Sequence, residues 1–82
     1  MKLQVLLFAT FADIAGSRKI TLEVDPPCTA ASLVRALQEK FSMLRGYDLQ
    51  RILVAVNQEM AAPDQIISGD DEVGVFPPVS GG

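Results

Sequence analysis

Thr29-Ala30-Ala31-Ser32-Leu33-Val34-Arg35-Ala36-Leu37-Gln38-Glu39-Lys40-Phe41 is the stretch on which the reading of this chain turns. Ala30, Leu33, Val34, Leu37 and Phe41 recur at the spacing of one helix face, and Ser32, Arg35, Gln38, Glu39 and Lys40 take the other. Thr29 suits an N-cap, because its hydroxyl can accept a hydrogen bond from an amide of the first turn. The pattern predicts one amphipathic helix of about three turns, fading out before Gly46. Arg35 and Glu39 stand one turn apart, an exposed pair worth only about 0.3 kcal/mol.

On both sides of this helix the period changes from 3.6 to two. In residues 2–9, Leu3, Val5 and Leu7 share one face while Gln4, Leu6 and Phe8 share the other. Residues 11–16 break the alternation and read as a loop ending in a turn glycine. Residues 18–24 alternate again, with Ile20, Leu22 and Val24 opposite Lys19, Thr21 and Glu23, so the two strands form a hairpin. Pro26-Pro27 closes the second strand, since proline cannot donate to a ladder.

Beyond the helix, residues 51–56 form an almost continuous apolar run, short and β-branched enough for a buried strand. Asn57-Gln58 predicts a tight turn into a short strand at residues 59–61. Pro63-Asp64 and Ser68-Gly69-Asp70 are further turn signals. Residues 72–76 make the last strand, with Val73 and Val75 inward and Gly74 and Phe76 outward. The order is β-β-α-β-β-β. An α+β roll, with one mixed sheet of about five strands packed on one main helix, is the economical solution. A helix between the hairpin and the later strands suits a right-handed crossover, which sets the first and last strands parallel. That is the β-grasp, or ubiquitin-like, arrangement, expected over residues 1–76.

Eighty-two residues make one small domain, and 49% hydrophobic with 21% charged residues is an ordinary globular balance. Seven basic against ten acidic residues give a net charge of -3, which argues against nucleic acid as a partner. Apolar runs such as residues 5–9 are far too short to cross a membrane. Met1-Lys2 leads straight into the first strand without a signal-peptide layout, so cytoplasmic residence is expected. A single cysteine, Cys28, forms no internal disulfide, which fits a reducing compartment.

The chain has no histidine, which rules out Ser-His and Cys-His nucleophile pairs and His-ligated metal sites. With no second Cys to share a metal, Cys28 reads as a packing or surface residue. No phosphate-cradling glycine loop is present. Asp70-Asp71-Glu72 reads as a solvated turn rather than a cation site, because too few oxygen ligands surround it. The body of the chain therefore reads as a scaffold without an active site.

What remains is the ending, Pro77-Pro78-Val79-Ser80-Gly81-Gly82. The prolines stop the strand and bias the backbone toward a stiff extended form. Six residues reach about 20 Å beyond the sheet. Gly81 and Gly82 carry no side chains and can enter a narrow opening in another protein. Residues 77–82 are expected to be a flexible tail in the isolated protein, with Leu6, Phe8 and Phe76 clustered beside its root as an exposed apolar patch.

The run Asp70-Asp71-Glu72-Val73-Gly74-Val75-Phe76-Pro77-Pro78-Val79-Ser80-Gly81-Gly82 closely resembles the carboxyl end of the MoaD/ThiS family of ubiquitin-like sulfur carriers, in its molybdopterin synthase branch. The Val56-Asn57-Gln58 step and the opening Val5-Leu6-Leu7-Phe8-Ala9, with Gly16 after it, are similar to that family too. Two places depart from it. Ala12-Asp13 stand where the family commonly carries Arg-Glu, which puts in doubt any contact made by that Arg. Asp71 is an extra residue in the usual Gly-Asp-Glu turn and is expected only to lengthen it.

The resemblance implies a sulfur carrier of molybdenum cofactor biosynthesis. An ATP-dependent, E1-like adenylyltransferase would form an acyl-adenylate on Gly82, and sulfur would replace AMP to give a thiocarboxylate. Inside the large catalytic subunit of molybdopterin synthase, that sulfur would pass to a pterin precursor. Gly82 would carry the sulfur, Gly81 would give access, and Pro77, Pro78, Val79 and Ser80 would shape the approach. Leu6, Phe8 and Phe76 would meet the partner protein. ATP belongs to the activating enzyme, and the carrier itself binds no cofactor. Two rival readings accompany this one: a sulfur carrier of another pathway, such as thiamin, which the Phe76-Pro77-Pro78-Val79 element argues against, and a β-grasp interaction module or protein tag.

Overall fold

The computed structural model describes residues 1–78; residues 79–82, and with them the expectations for Val79, Ser80, Gly81 and Gly82, lie outside the described residues. Strand β1 (Lys2–Leu7) buries Leu3, Val5 and Leu7 and turns Gln4 and Leu6 to the other face. Strand β2 (Lys19–Glu23) pairs with it antiparallel, Leu3 opposite Leu22 and Val5 opposite Ile20. The main helix, α2 (Ala30–Lys40), follows the predicted period, burying Ala30, Leu33, Val34 and Leu37. Thr29 caps it, its Oγ1 accepting the Ser32 N–H at 3.1 Å.

Strand β4 (Leu53–Val56) turns through Asn57 and Gln58, both at positive φ, into β5 (Glu59–Met60). Ala55 then faces Met60 and Val56 faces Glu59, a two-residue hairpin of the type that asparagine favours. The last strand, β7 (Val73–Phe76), lies between β1, to which it is parallel, and β4, to which it is antiparallel. The order across the five-stranded sheet is β2-β1-β7-β4-β5. This is the mixed β-grasp roll, with first and last strands side by side as the crossover required. Its core joins Leu3, Val5, Leu7, Val73 and Val75 of the central strands to Leu33 and Leu37 of α2.

The connections hold more structure than the sequence predicted. The stretch read as a loop before Gly16 is a short helix, α1 (Thr10–Ala15), which plugs one end of the core with Phe11. Gly16 ends it at φ 72°, a left-handed cap that glycine adopts without strain. Cys28 and Thr29, which carry no strand signal in the sequence, form β3 (Cys28–Thr29), antiparallel to β6 (Ile66–Ile67) in a second, two-stranded sheet. The strand expected from residue 51 begins two residues later, because Leu49–Arg51 coil into a single 3-10 turn. Gln38 braces the segment between α2 and this turn, its Nε2 donating to the carbonyls of Leu44 and Tyr47 at 3.2 Å each.

Candidate functional site: the outer face of the sheet and the root of the tail

The pleat that sends Leu3, Val5 and Leu7 inward sends the alternate residues of β1 outward, where Lys2 and Gln4 are exposed and Leu6 is half-buried. Phe8 follows β1 directly, and Phe76 ends the neighbouring β7. Their rings stack with centroids 4.3 Å apart and planes 7° from parallel. Leu53 stands opposite Phe76 on the other flank, and Met60 stands opposite Ala55 one strand further on. Together with Pro77 and Pro78 they line one shallow apolar hollow. Phe8 is 39% exposed, Leu53 36% and Met60 61%, so this is a contiguous apolar surface and not scattered single residues.

The chain leaves the sheet through this hollow. Pro77 and Pro78, both half-buried, follow Phe76 without joining a ladder. The expected association of Phe8 with Phe76 at the foot of the tail is thus present. Leu6 lies on the same face, opposite Gly74 across the parallel ladder, but lines the neighbouring grooves toward β2 instead of the hollow itself. Leu53 and Met60 belong to the surface and were missed. The run at residues 51–56 reads as a buried strand, whereas β4 alternates, burying Val54 and Val56 and exposing Leu53.

Beside Phe8 the backbone is forced. Ala9 has φ 53° and ψ -131°, the first corner of a tight turn closed by the Phe11 N–H donating to the Phe8 carbonyl at 3.1 Å. Glycine is the usual occupant of that corner. The Ala9 carbonyl then accepts from the amides of Ala12 and Asp13, which starts α1.

The acidic turn does more than lengthen a loop. Asp71 accepts the Ser68 N–H at 2.7 Å and the Asn57 side-chain amide at 2.9 Å. Asn57 Oδ1 in turn accepts the Glu72 N–H at 3.0 Å. Asp71 therefore ties the β4–β5 turn to the loop before β7. The Ser68 amide, and then the Asn57 amide, hold its carboxyl below the usual aspartate range.

Cys28 is 1% exposed, and burial pushes its thiol up, away from the thiolate that nucleophilic or metal chemistry needs. No helix among the described residues is long and apolar enough to cross a membrane.

With this geometry in place, comparison with known proteins gives a consistent result. The profile of the ThiS family matches residues 5–82. The small archaeal modifier protein 1 of Haloferax volcanii is 36% identical, over 93% of this chain and 95% of its own. A molybdopterin synthase sulfur carrier subunit from Dictyostelium discoideum is 34% identical, over 96% of this chain and 94% of its own. The crystal structure of the Haloferax volcanii modifier SAMP1 superposes with a TM-score of 0.80 at 34% identity, covering 100% of both chains.

Proposed function

This chain belongs to the ThiS family, and from that premise we propose that it is the sulfur carrier of a molybdopterin synthase, acting through the carboxyl group of Gly82. The observation that carries the reading is the apolar hollow of Phe8, Leu53, Met60 and Phe76, from which Pro77-Pro78 leads the chain toward Gly81-Gly82. A partner that seats on this surface receives the tail at a fixed starting point and direction.

The chemistry follows from the terminal group. A free α-carboxyl has a pKa of about 3.3 to 3.7, so at neutral pH it is a carboxylate with no useful leaving group. An activating enzyme overcomes this by attaching the carboxylate to AMP from ATP, with release of pyrophosphate. A sulfur donor then displaces AMP and leaves a thiocarboxylate on Gly82. Delivered into the large synthase subunit, that sulfur attacks the pterin precursor to form a thioester, and water then cleaves the acyl–sulfur bond, leaving the sulfur on the pterin and a carboxylate on the departing carrier. Glycines at 81 and 82 let the end pass a narrow channel, and the domain supplies the handle.

The test is the intact mass of the chain after co-expression with an E1-like adenylyltransferase and a sulfur donor. A gain equal to one oxygen-for-sulfur exchange, localised to Gly82, is expected, and an unchanged mass would refute the proposal. A second reading, as a protein modifier, is favoured by the 36% identity to small archaeal modifier protein 1. It predicts a different product: Gly82 joined through an amide to lysine side chains of other proteins. Both products start from the same activated end.

A further inference from the structure

Gly74 violates a local rule. It sits in the interior of β7, paired on one side with β1 and on the other with β4. Glycine there weakens a strand, through lost backbone entropy and the absence of a side chain to pack. Its backbone does not require glycine, because among the described residues the positive-φ glycine is Gly16. What position 74 lacks is space. A Cβ there would lie 3.2 Å from Phe8 Cε2 and 3.4 Å from Phe76 Cε1, inside the optimal carbon–carbon separation of about 3.5 to 4.0 Å. Breaches of local propensity without a conformational reason are expected where function is at stake.

We propose that Gly74 is a positioning residue for docking: its bare backbone is the seat on which the Phe8 and Phe76 rings lie, and it sets the height and tilt of the aromatic platform a partner meets. The proposal rests on the reading of the outer face as the docking surface. It adds what fixes the shape of that face. Phe8 is 39% exposed, so its ring has room to lift when a side chain appears beneath it. Val73 and Val75 point into the core on the opposite face, so a group at 74 leaves their packing alone. A platform already in its bound arrangement loses less freedom on association.

The seat makes stability and docking move in opposite directions. A β-branched residue at 74 suits a central strand better than glycine does, while its bulk displaces the rings. A glycine retained only for the fold would show the reverse: loss of stability on substitution, with docking unchanged among molecules that fold.

The experiment titrates the wild-type chain, Gly74→Ala, Gly74→Val, Phe8→Ala and the Gly74→Val/Phe8→Ala double variant against the purified large subunit of molybdopterin synthase. Thermal melting and Phe8–Phe76 ring contacts by NMR are measured on the free chains. Gly74→Val is expected to melt at or above wild type, to lose the ring contacts, and to bind about ten-fold more weakly. Gly74→Ala should fall between, and it carries the test if the valine variant does not fold. In the Phe8→Ala background, Gly74→Val should cost less than about two-fold, because the platform is already gone and the two changes are not additive. Wild-type binding by both Gly74 variants with the ring contacts kept, or an undiminished penalty without Phe8, overturns the proposal. Failure of the docking reading looks different: Phe8→Ala itself would bind as wild type. The ring contacts, which need no partner, would still decide whether Gly74 seats the pair.

Discussion

Among the described residues, Ala9 holds a positive φ with neither the freedom of glycine nor the turn preference of asparagine. At φ 53° and ψ -131° its methyl group crowds the neighbouring peptide, a conformation that costs a non-glycine residue about 1 to 2 kcal/mol. Nothing in the sequence signals this, since alanine is not a turn former and the alternation of β1 runs through it. By contrast Phe8 was legible as outward-facing, because a strand offers only two faces and Leu3, Val5 and Leu7 claim one. Relief of strain at Ala9 outweighs the extra entropy that glycine gives the unfolded chain. Ala9→Gly is accordingly expected to leave the protein as stable as wild type or stabilise it by up to about 1 kcal/mol, and Ala9→Val to destabilise it by about 2 kcal/mol. Urea denaturation decides the matter. A clear loss in the glycine variant would mean that Ala9 stores little strain and that the added entropy of the unfolded chain dominates.

Among the elements, those with a sustained period were legible and those without one were not. Helix α2 shows three turns of consistent amphipathy and a side-chain cap, and its place in the sequence dictated the crossover. Helix α1 has six residues, too few to form without tertiary support, and its Phe11 joins the core only because the turn at Ala9 aims it there. Strands β3 and β6 are two residues each, and two residues carry no alternation to read. The clasp between the β4–β5 turn and the loop before β7 was half legible: Asn57 was marked as a turn residue, but its bonds to Asp71 and Glu72 span fourteen and fifteen positions.

The clasp has a pH signature. The Asp71 carboxyl titrates lower in the folded chain than in the unfolded one. Its contribution is therefore complete above the ordinary aspartate pKa of about 3.9, and it is lost as pH falls through the lower folded value. Asp71→Asn should be less stable than wild type at pH 7, and the gap should narrow as both are melted at progressively lower pH below about 4. The effect is small, because the group is exposed and solvent-screened. A gap that stayed constant down to acid pH would show that the charge is irrelevant and only the shape of the turn matters.

At the scale of the whole molecule, the proposed function divides the chain between a domain that a partner holds and an end that reacts. The sheet order places β1, β7 and β4 side by side, and only that order brings Phe8, Phe76 and Leu53 onto one surface, which is why Leu53 and Met60 escaped a reading made strand by strand. On that proposal the surface would fix where residue 78 stands against a partner, and the remaining residues would set how far beyond it the carboxyl group reaches. This makes length a chemical variable. Removing Gly82 leaves a carboxylate on Gly81 about 3.3 Å short of its intended position, and a misplacement of even about 1 Å can cost on the order of a hundredfold in rate. Adding a C-terminal tag keeps the reach but converts the carboxyl group to an amide, which cannot be adenylylated. Both changes lie beyond residue 78, past the last described residue, and leave every described element unaltered in sequence, so circular dichroism and melting temperature should match wild type. Thiocarboxylate formation, and molybdopterin formation in a reconstituted synthase, should fall to background in both variants. Binding to the large subunit should survive in the truncated form, since the surface around Phe8 and Phe76 is intact. Molybdopterin formation at wild-type rates by either variant, with mass spectrometry showing its altered end still in place, would move the chemistry away from Gly82 and leave the domain a binding module alone.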